Sequence, residues 1–337
     1  MRSIQIQDNF GIQQLRFSDC SEKPIADDEI EVSMHAASLN YRDLLMVKGQ
    51  YDPKQPLPLI PCSDGAGVVT AIGKNITDLN VGDLVTTVFA PLWQSGTPTT
   101  AQMRSTMGGP INGALTQRFV AKSTYVMKAP QHLNAVQAAT LPCAAVTAWN
   151  ALVEVANIKA GDKVLIQGTG GVALFALQFA SMCGAETVVL SSSDEKLQKV
   201  KELGASHTIN YRQTPKWSRA VRDCVGQVDI VIELGGAQTL EQSLKVCRPG
   251  ATIAVIGILS GIKNEINLLP IIMNKLNISG ILVGSRSCFA NMNKAISHQK
   301  LQPIIDKTFA FSETIQAFEY MESAQHFGKI CIDLQKN

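Results

Sequence analysis

The 337-residue chain has no Cys-x-x-Cys pair, although it carries eight cysteines. They are scattered at Cys20, Cys62, Cys143, Cys183, Cys224, Cys247, Cys288 and Cys331. Disulfide scaffolds are short, secreted and cysteine-dense, so reduced thiols in a cytoplasmic protein are the expectation. The sequence also lacks an excess of either charge, with 30 Lys and Arg against 28 Asp and Glu. A net charge of +2 offers no electrostatic case for a nucleic-acid partner. The densest basic stretch, 196–201, spaces its lysines along a helix surface and reads as a solvated face. Long apolar runs are missing too. The run 251–259 falls well short of the roughly 20 residues that a membrane helix needs, so no membrane partner is expected. The first eight residues alternate like a strand and lack the apolar stretch of a signal peptide. Five histidines, His35, His132, His207, His298 and His326, show no spacing that suggests metal ligation or a catalytic triad.

What the sequence does have is length and pattern. At 45% hydrophobic content, 337 residues suffice for two ordinary domains. Residues 29–36, 67–72 and 83–89 read as strands, which predicts an antiparallel β domain or small barrel. Residues 91–110 are aperiodic and rich in Gly, Pro, Ser and Thr, a long surface loop and candidate lid. Residues 135–156 read as helical, with Pro142 as a kink or break. Strands at 163–166, 187–190, 228–233, 251–257 and 277–283 then alternate with helices at 172–183, 194–203 and 240–247. Apolar strands alternating with helices imply α/β architecture with a parallel sheet covered on both faces. After Gly284 the texture changes again, so the tail can return to the first domain.

Gly168-Thr169-Gly170-Gly171-Val172-Ala173 fits the dinucleotide fingerprint and lies between a predicted strand and helix. Gly168 permits the tight turn, Gly170 lets backbone approach a pyrophosphate, and Ala173 keeps helix and sheet close. The helix N-terminus supplies free N–H groups for phosphate. An NAD site places a carboxylate about 20 residues after the first glycine. Here the second strand ends in Ser191-Ser192-Ser193-Asp194-Glu195-Lys196. Ser191 stands at the carboxylate position, so a 2′-phosphate meets no repulsion, and hydroxyls with Lys196 can bind it. Tyr211 and Arg212 can close that pocket. The expected cofactor is therefore NADP(H). The same serines also serve as helix caps, and Asp194 or Glu195 could instead reach a ribose. Gly235, Gly236 and Gly257 follow strand ends and can let backbone approach the cofactor.

These motifs, with Ser38-Leu39-Asn40-Tyr41-Arg42-Asp43, residues 61–67 (PCSDGAG), 141–149 (LPCAAVTAW), 201–205 (KELGA) and Gly328-Lys329, resemble the medium-chain dehydrogenase/reductase superfamily. The resemblance runs nearly end to end and is nearest to the zinc-independent, quinone oxidoreductase-like branch. It implies a GroES-like, β-rich catalytic domain over 1–124 and 284–337, a Rossmann NADP-binding domain over 125–283, and an active site in the cleft. It further implies that Thr147 faces the nicotinamide and that Arg286 reaches the cofactor. On the three positions that bind catalytic zinc in alcohol dehydrogenases of the superfamily stand Asn40, Ser63 and Cys143. Asn and Ser are poor zinc ligands, and 91–110 holds no cysteine for a structural zinc lobe, so no metal is expected.

Without zinc, hydrogen-bond donors must steady the charge developing on a substrate oxygen. Asn40 is the candidate donor, with Tyr41 or Tyr51 as proton donors or substrate walls and Asp43 as the residue that orients Asn40. Equally, Asn40 and Asp43 could only pin a turn. The activity expected is hydride transfer from NADPH to a quinone, an enone or another small carbonyl. Alcohol oxidation on the same fold, or NADPH binding without turnover, are the alternatives. A homodimer is expected, its contact an exposed sheet edge after Gly257, through 267–272.

Overall fold

The computed structural model describes residues 1–20 and 24–336. The chain forms two compact units, Met1–Val146 with Gly284–Asn337, and Thr147–Val283.

The first unit is built on a seven-stranded sheet. Its order is Ile305–Ala310, Lys329–Asp333, Glu29–Leu39, Asp64–Ile72, Leu84–Thr87 and Val126–Lys128, with Arg118–Lys122 paired to Glu29–Leu39. All pairs are antiparallel except Ile305–Ala310 with Lys329–Asp333. Alternation gives Glu29–Leu39 its buried face of Ile30, Val32 and Met34, which pack in a core with Ile330, Ile332 and Phe318. The last strand pairs Ile330 with Leu39, so the chain's tail completes the domain that its start begins.

The second unit holds six parallel strands, ordered His207–Asn210, Glu186–Ser191, Lys163–Gln167, Val228–Glu233, Cys247–Val255 and Asn277–Gly280. In chain order this is 3-2-1-4-5-6, the doubly wound arrangement whose topological switch lies between the first and fourth strands. Val164, Leu165 and Ile166 are fully buried, as strands covered on both faces require. The helix Gly171–Met182 is apolar almost all round and buries Leu174, Phe175, Leu177 and Phe179.

Four expectations change. The first unit extends to Val146 rather than ending at 124, because Val126–Lys128 pairs with Leu84–Thr87 and Ala135–Ala138 packs on the two central strands. Within 91–110, residues 105–109 are buried rather than a free surface loop. The outer strand after Gly257 is Asn277–Gly280, whereas Leu269–Met273 is a short exposed helix begun by a proline in its first turn. Finally, Ala135–Val155 is long and apolar enough to cross a membrane by length and composition, but its apolar window is 72% buried inside the protein, as a core helix is.

Candidate functional site

In the first unit, three chain segments converge on Asn40. The strand Glu29–Leu39 ends there and the helix Tyr41–Val47 begins, with Asn40 as its N-cap. Asp43, three residues on, accepts from the Asn40 backbone N–H at 2.9 Å, one half of a capping box. The same carboxylate accepts from the Ser63 backbone N–H at 3.2 Å and lies 3.4 Å from Arg42 Nη1. Asp43 thus ties the helix start to the turn at residues 61–64. Cys62 takes a left-handed backbone, φ 75°, within that turn. The pairing of Ser38 with Asp64 then sets the Asp64 carboxylate beside the cluster.

Asp64 is fully buried. It accepts from Ser63 Oγ at 2.7 Å and from the Cys143 backbone N–H at 3.1 Å. Burial, opposed by Lys329 and reinforced by Asp43, pushes its carboxyl up to about 6. Burial likewise raises Asp43. The Cys143 thiol is pushed far up, first by burial and then by Asp64, so it stays protonated.

The third segment is the closing strand. The pairing of Ile330 with Leu39 sets Lys329 next to Asn40, 289 residues apart in sequence. Lys329 is 3% exposed. Its ammonium donates to Asn40 Oδ1 at 2.7 Å and Leu39 O at 2.6 Å, and stands 4.0 Å from Asp64 Oδ2. A lysine ammonium has donors only, so the Asn40 amide must turn its oxygen towards it. Asn40 Nδ2 is buried and makes no hydrogen bond of full geometry, although it lies near enough to the Asp64 carboxylate to lower its pKa. Lys329 was legible only as half of a Gly-Lys pair. Its role depends on a strand pairing that no local pattern reveals.

The two tyrosines differ from the buried cluster. Tyr41 is 48% and Tyr51 43% exposed. Arg42 stacks over the Tyr51 ring at 4.9 Å and donates to Met107 O and Gly109 O, anchoring the buried end of the 91–110 segment. Arg286 belongs to this unit. It opens the helix Arg286–Gln299, and its Nη1 donates to Thr124 O and Val126 O. One guanidinium nitrogen of Arg286 is thus held by backbone carbonyls.

In the second unit, the fingerprint loop joins Lys163–Gln167 to Gly171–Met182. Gly168 has φ 83° and donates its N–H to Leu190 O at 2.7 Å. Gly170 is the N-cap and supplies no side-chain cap, so the helix N–H groups at Gly171 and Val172 lack that internal acceptor. Thr169 beside it is 7% exposed, and Thr147 is 3% exposed. Ser191 ends the second strand and accepts from the Ser193 N–H, while Ser193 caps Asp194–Glu202 through the Lys196 N–H. Ser192 lies between them. The Tyr211 N–H donates to Ser191 O at 3.1 Å, which seats Tyr211 at the same strand end. Asp194 accepts from Asn210 at 2.8 Å and Gln213 at 2.6 Å, and Glu195 pairs with Lys199 at 2.7 Å. Both carboxylates at this helix start are thus drawn to protein partners.

The glycines after the strand ends have a packing reason of their own. A Cβ on Gly257 would stand 2.3 Å from Leu234 O, and one on Gly235 would stand 2.2 Å from Thr239 Oγ1. Beneath them lies a network that sequence reasoning missed. Buried Glu233 accepts from the Gly235 and Gly236 N–H groups, Thr239, Ser243 and Gln167. Gln167 Oε1 in turn accepts from Gly235 N at 2.9 Å. The network braces the ends of the first and fourth strands, where the topological switch lies.

Among the described residues, no three His, Cys, Asp or Glu side chains converge as a metal site. At the Asn40 cluster, the Ser63 hydroxyl is turned to Asp64 and the Lys329 ammonium already faces Asn40 Oδ1. A dication there would meet a fixed positive charge, so these residues do not fit zinc. The Gly168–Val172 loop, by contrast, fits a dinucleotide pyrophosphate.

Comparison with known proteins agrees with the two-unit architecture. Residues 26–131 match the alcohol dehydrogenase GroES-like domain, and residues 171–298 match the zinc-binding dehydrogenase family. A zinc-type alcohol dehydrogenase-like protein of Schizosaccharomyces pombe is 41% identical, the match covering 91% of each chain. A Sinorhizobium meliloti 1021 crystal structure, provisionally assigned as an alcohol dehydrogenase, is 37% identical with TM-score 0.92 and 99% of each chain covered. The quinone oxidoreductase of Coxiella burnetii is 26% identical with TM-score 0.80, again over 99% of each chain.

Proposed function

From the premise that the chain belongs to the medium-chain dehydrogenase/reductase superfamily, whose members here are oxidoreductases, we propose a zinc-independent, NADPH-dependent reductase of quinones, enones or related small carbonyls. One observation carries the reading: Lys329 fixes the Asn40 carbonyl and leaves Asn40 Nδ2 a buried donor that no well-formed hydrogen bond within the protein satisfies.

The nicotinamide, when bound, supplies the hydride. The remaining tasks fall to this chain's residues. The Gly170, Gly171 and Val172 backbone holds pyrophosphate. Ser191, Ser192, Lys196 and Tyr211 receive the 2′-phosphate. The engagement of Asp194 with Asn210 and Gln213, and of Glu195 with Lys199, supports NADPH over NADH, because it draws both carboxylates' acceptor oxygens away from a ribose hydroxyl. Asn40 Nδ2 donates to the acceptor's oxygen as negative charge develops there, in a buried setting where such a bond is strong. Asp43 and Lys329 hold Asn40 in place. Quinones and enones take hydride without a Lewis acid more readily than an alcohol gives it up, and one relative is itself named a quinone oxidoreductase.

Eight free cysteines suit a reducing compartment, which supports a cytoplasmic site of action. The outer strand Asn277–Gly280 exposes Ile278, and the helix Leu269–Met273 with its N-cap Leu268 exposes Leu268, Leu269, Ile272 and Met273. An apolar edge of this kind needs cover, and a second copy of the chain provides it.

The test is a screen of quinones, enals and ketones that follows NADPH and NADH absorbance, run beside metal analysis of the purified protein. NADPH oxidation without stoichiometric zinc is expected. Asn40→Ala should lower kcat by about a hundredfold, the usual loss for an oxyanion donor, with NADPH affinity unchanged. Stoichiometric zinc, or unchanged turnover in the variant, would defeat the reading. NADPH binding with no acceptor reduced would favour a binding protein.

A further inference from the structure

A second constellation lies in the Thr147–Val283 unit. Cys224 is the one exposed cysteine among the described residues. Its Sγ stands 3.1 Å from His207 Nδ1, and His207 Nε2 stands 3.0 Å from Glu186 Oε1. The three come from different elements: Cys224 from the last turn of Trp217–Val225, His207 and Glu186 from the first residues of adjacent parallel strands. They lie at the N-terminal ends of those strands, the opposite end of the sheet from the Gly168–Val172 loop. No sequence spacing betrays the cluster, since its members are 17 and 21 residues apart.

We propose that Cys224 is a nucleophilic thiol that forms mixed disulfides with low-molecular-weight disulfides, with His207 as its base and Glu186 as the positioning residue. The tautomer argument is direct. An ionised carboxylate only accepts hydrogen bonds, so Glu186 requires the proton on Nε2. That leaves the Nδ1 lone pair facing the thiol, which donates to it. His207 takes the thiol proton as Sγ attacks one sulfur of the disulfide. A new S–S bond forms, the old one breaks, and the departing thiolate takes the proton from His207. Cys224 and the reagent end as a mixed disulfide and a free thiol, with no electrons left over.

Four buried or half-buried cysteines contrast with it. Cys62 donates to Ser38 O and Cys247 to Ser243 O, carbonyls that cannot take the proton. Burial raises both thiols, Cys247 to about 12, and raises Cys331 to about 11. Burial also raises the half-buried Cys183. Among the described residues Cys224 is the exposed cysteine, and His207, oriented by Glu186, stands beside it.

The experiment treats the intact protein with a dithiobis-nitrobenzoate reagent and, separately, with oxidised glutathione. It follows thiol release and locates the adduct by peptide mass. One thiol should react in a fast phase that maps to Cys224 and vanishes in Cys224→Ser. His207→Gln should slow that phase by about tenfold or more, as loss of a base does. Glu186→Gln should slow it too, and Glu186→Asp should recover part of the rate. Melting temperatures within a few degrees of the native protein's should accompany these rates, so that a slower phase is not loss of fold. A fast phase that persists in Cys224→Ser, or a His207→Gln rate equal to that of the native protein, overturns the proposal. No nicotinamide enters the assay, so its outcome is independent of the reductase reading.

Discussion

Asn40, Asp64 and Lys329 show how a buried charge sets the chemistry of its neighbours. Asp43 and the Asn-Tyr-Arg-Asp motif were legible because a capping box lies within four residues of sequence. Lys329 was not, because its partners are 289 and 290 residues away. Asp64 offers a test at this scale. Its folded carboxyl titrates near 6, above the roughly 3.9 of an unfolded aspartate, so the fold binds the proton more tightly than the open chain. Its contribution is therefore fullest below about pH 4 and is lost as pH rises through 6. Asp64→Asn, which mimics the neutral form, should gain stability relative to the native protein by on the order of 2–3 kcal/mol between pH 4 and 7. Denaturant titrations at several pH values would read this as a flatter slope. Asp43, raised by the same cause, leaves some slope behind. Identical slopes in the two proteins would remove Asp64 as its source.

At the scale of elements, periodicity located most strands and helices of the Thr147–Val283 unit. Parallel strands buried on both faces announce themselves as apolar runs, and the glycine fingerprint fixes the first turn. The loops after those strands were less legible. Gly257 was read for its approach to cofactor, yet Leu234 O already fills the space its Cβ would need. Gly257→Ala should destabilise the protein by about 1–3 kcal/mol, the cost of overpacking against backbone. Urea unfolding would measure it, and NADPH affinity should fall alongside as the braced loop shifts. The buried end of 91–110 is a similar lesson. Turn residues read as surface, but Arg42 fastens Met107 and Gly109 to the helix Tyr41–Val47.

At the scale of the whole molecule, the chain leaves an apolar edge uncovered. Ile272 and Met273 are 73% and 72% exposed, well beyond what a lone surface residue explains. On the homodimer reading, the native protein should scatter light as a dimer and Ile272→Asp as a monomer, with secondary structure by circular dichroism unchanged. A native protein already monomeric at micromolar concentration would end the homodimer reading. The expected edge was placed at 267–272, whereas the strand is Asn277–Gly280 and the helix beside it carries the apolar side chains.

The amino-acid sequence alone determined the α/β class, the glycine fingerprint between a strand and a helix, and the presence of Asn at 40 and Ser at 63. Each of these is written in local spacing or in residue type. Tertiary structure alone decided that a lysine from the last strand occupies the Asn40 cluster. It also decided that Glu233 braces the switch point and that Cys224, His207 and Glu186 meet. The physical reason is common to all three: they are contacts made by strand register and helix packing, and register is a property of the folded sheet rather than of any window of sequence.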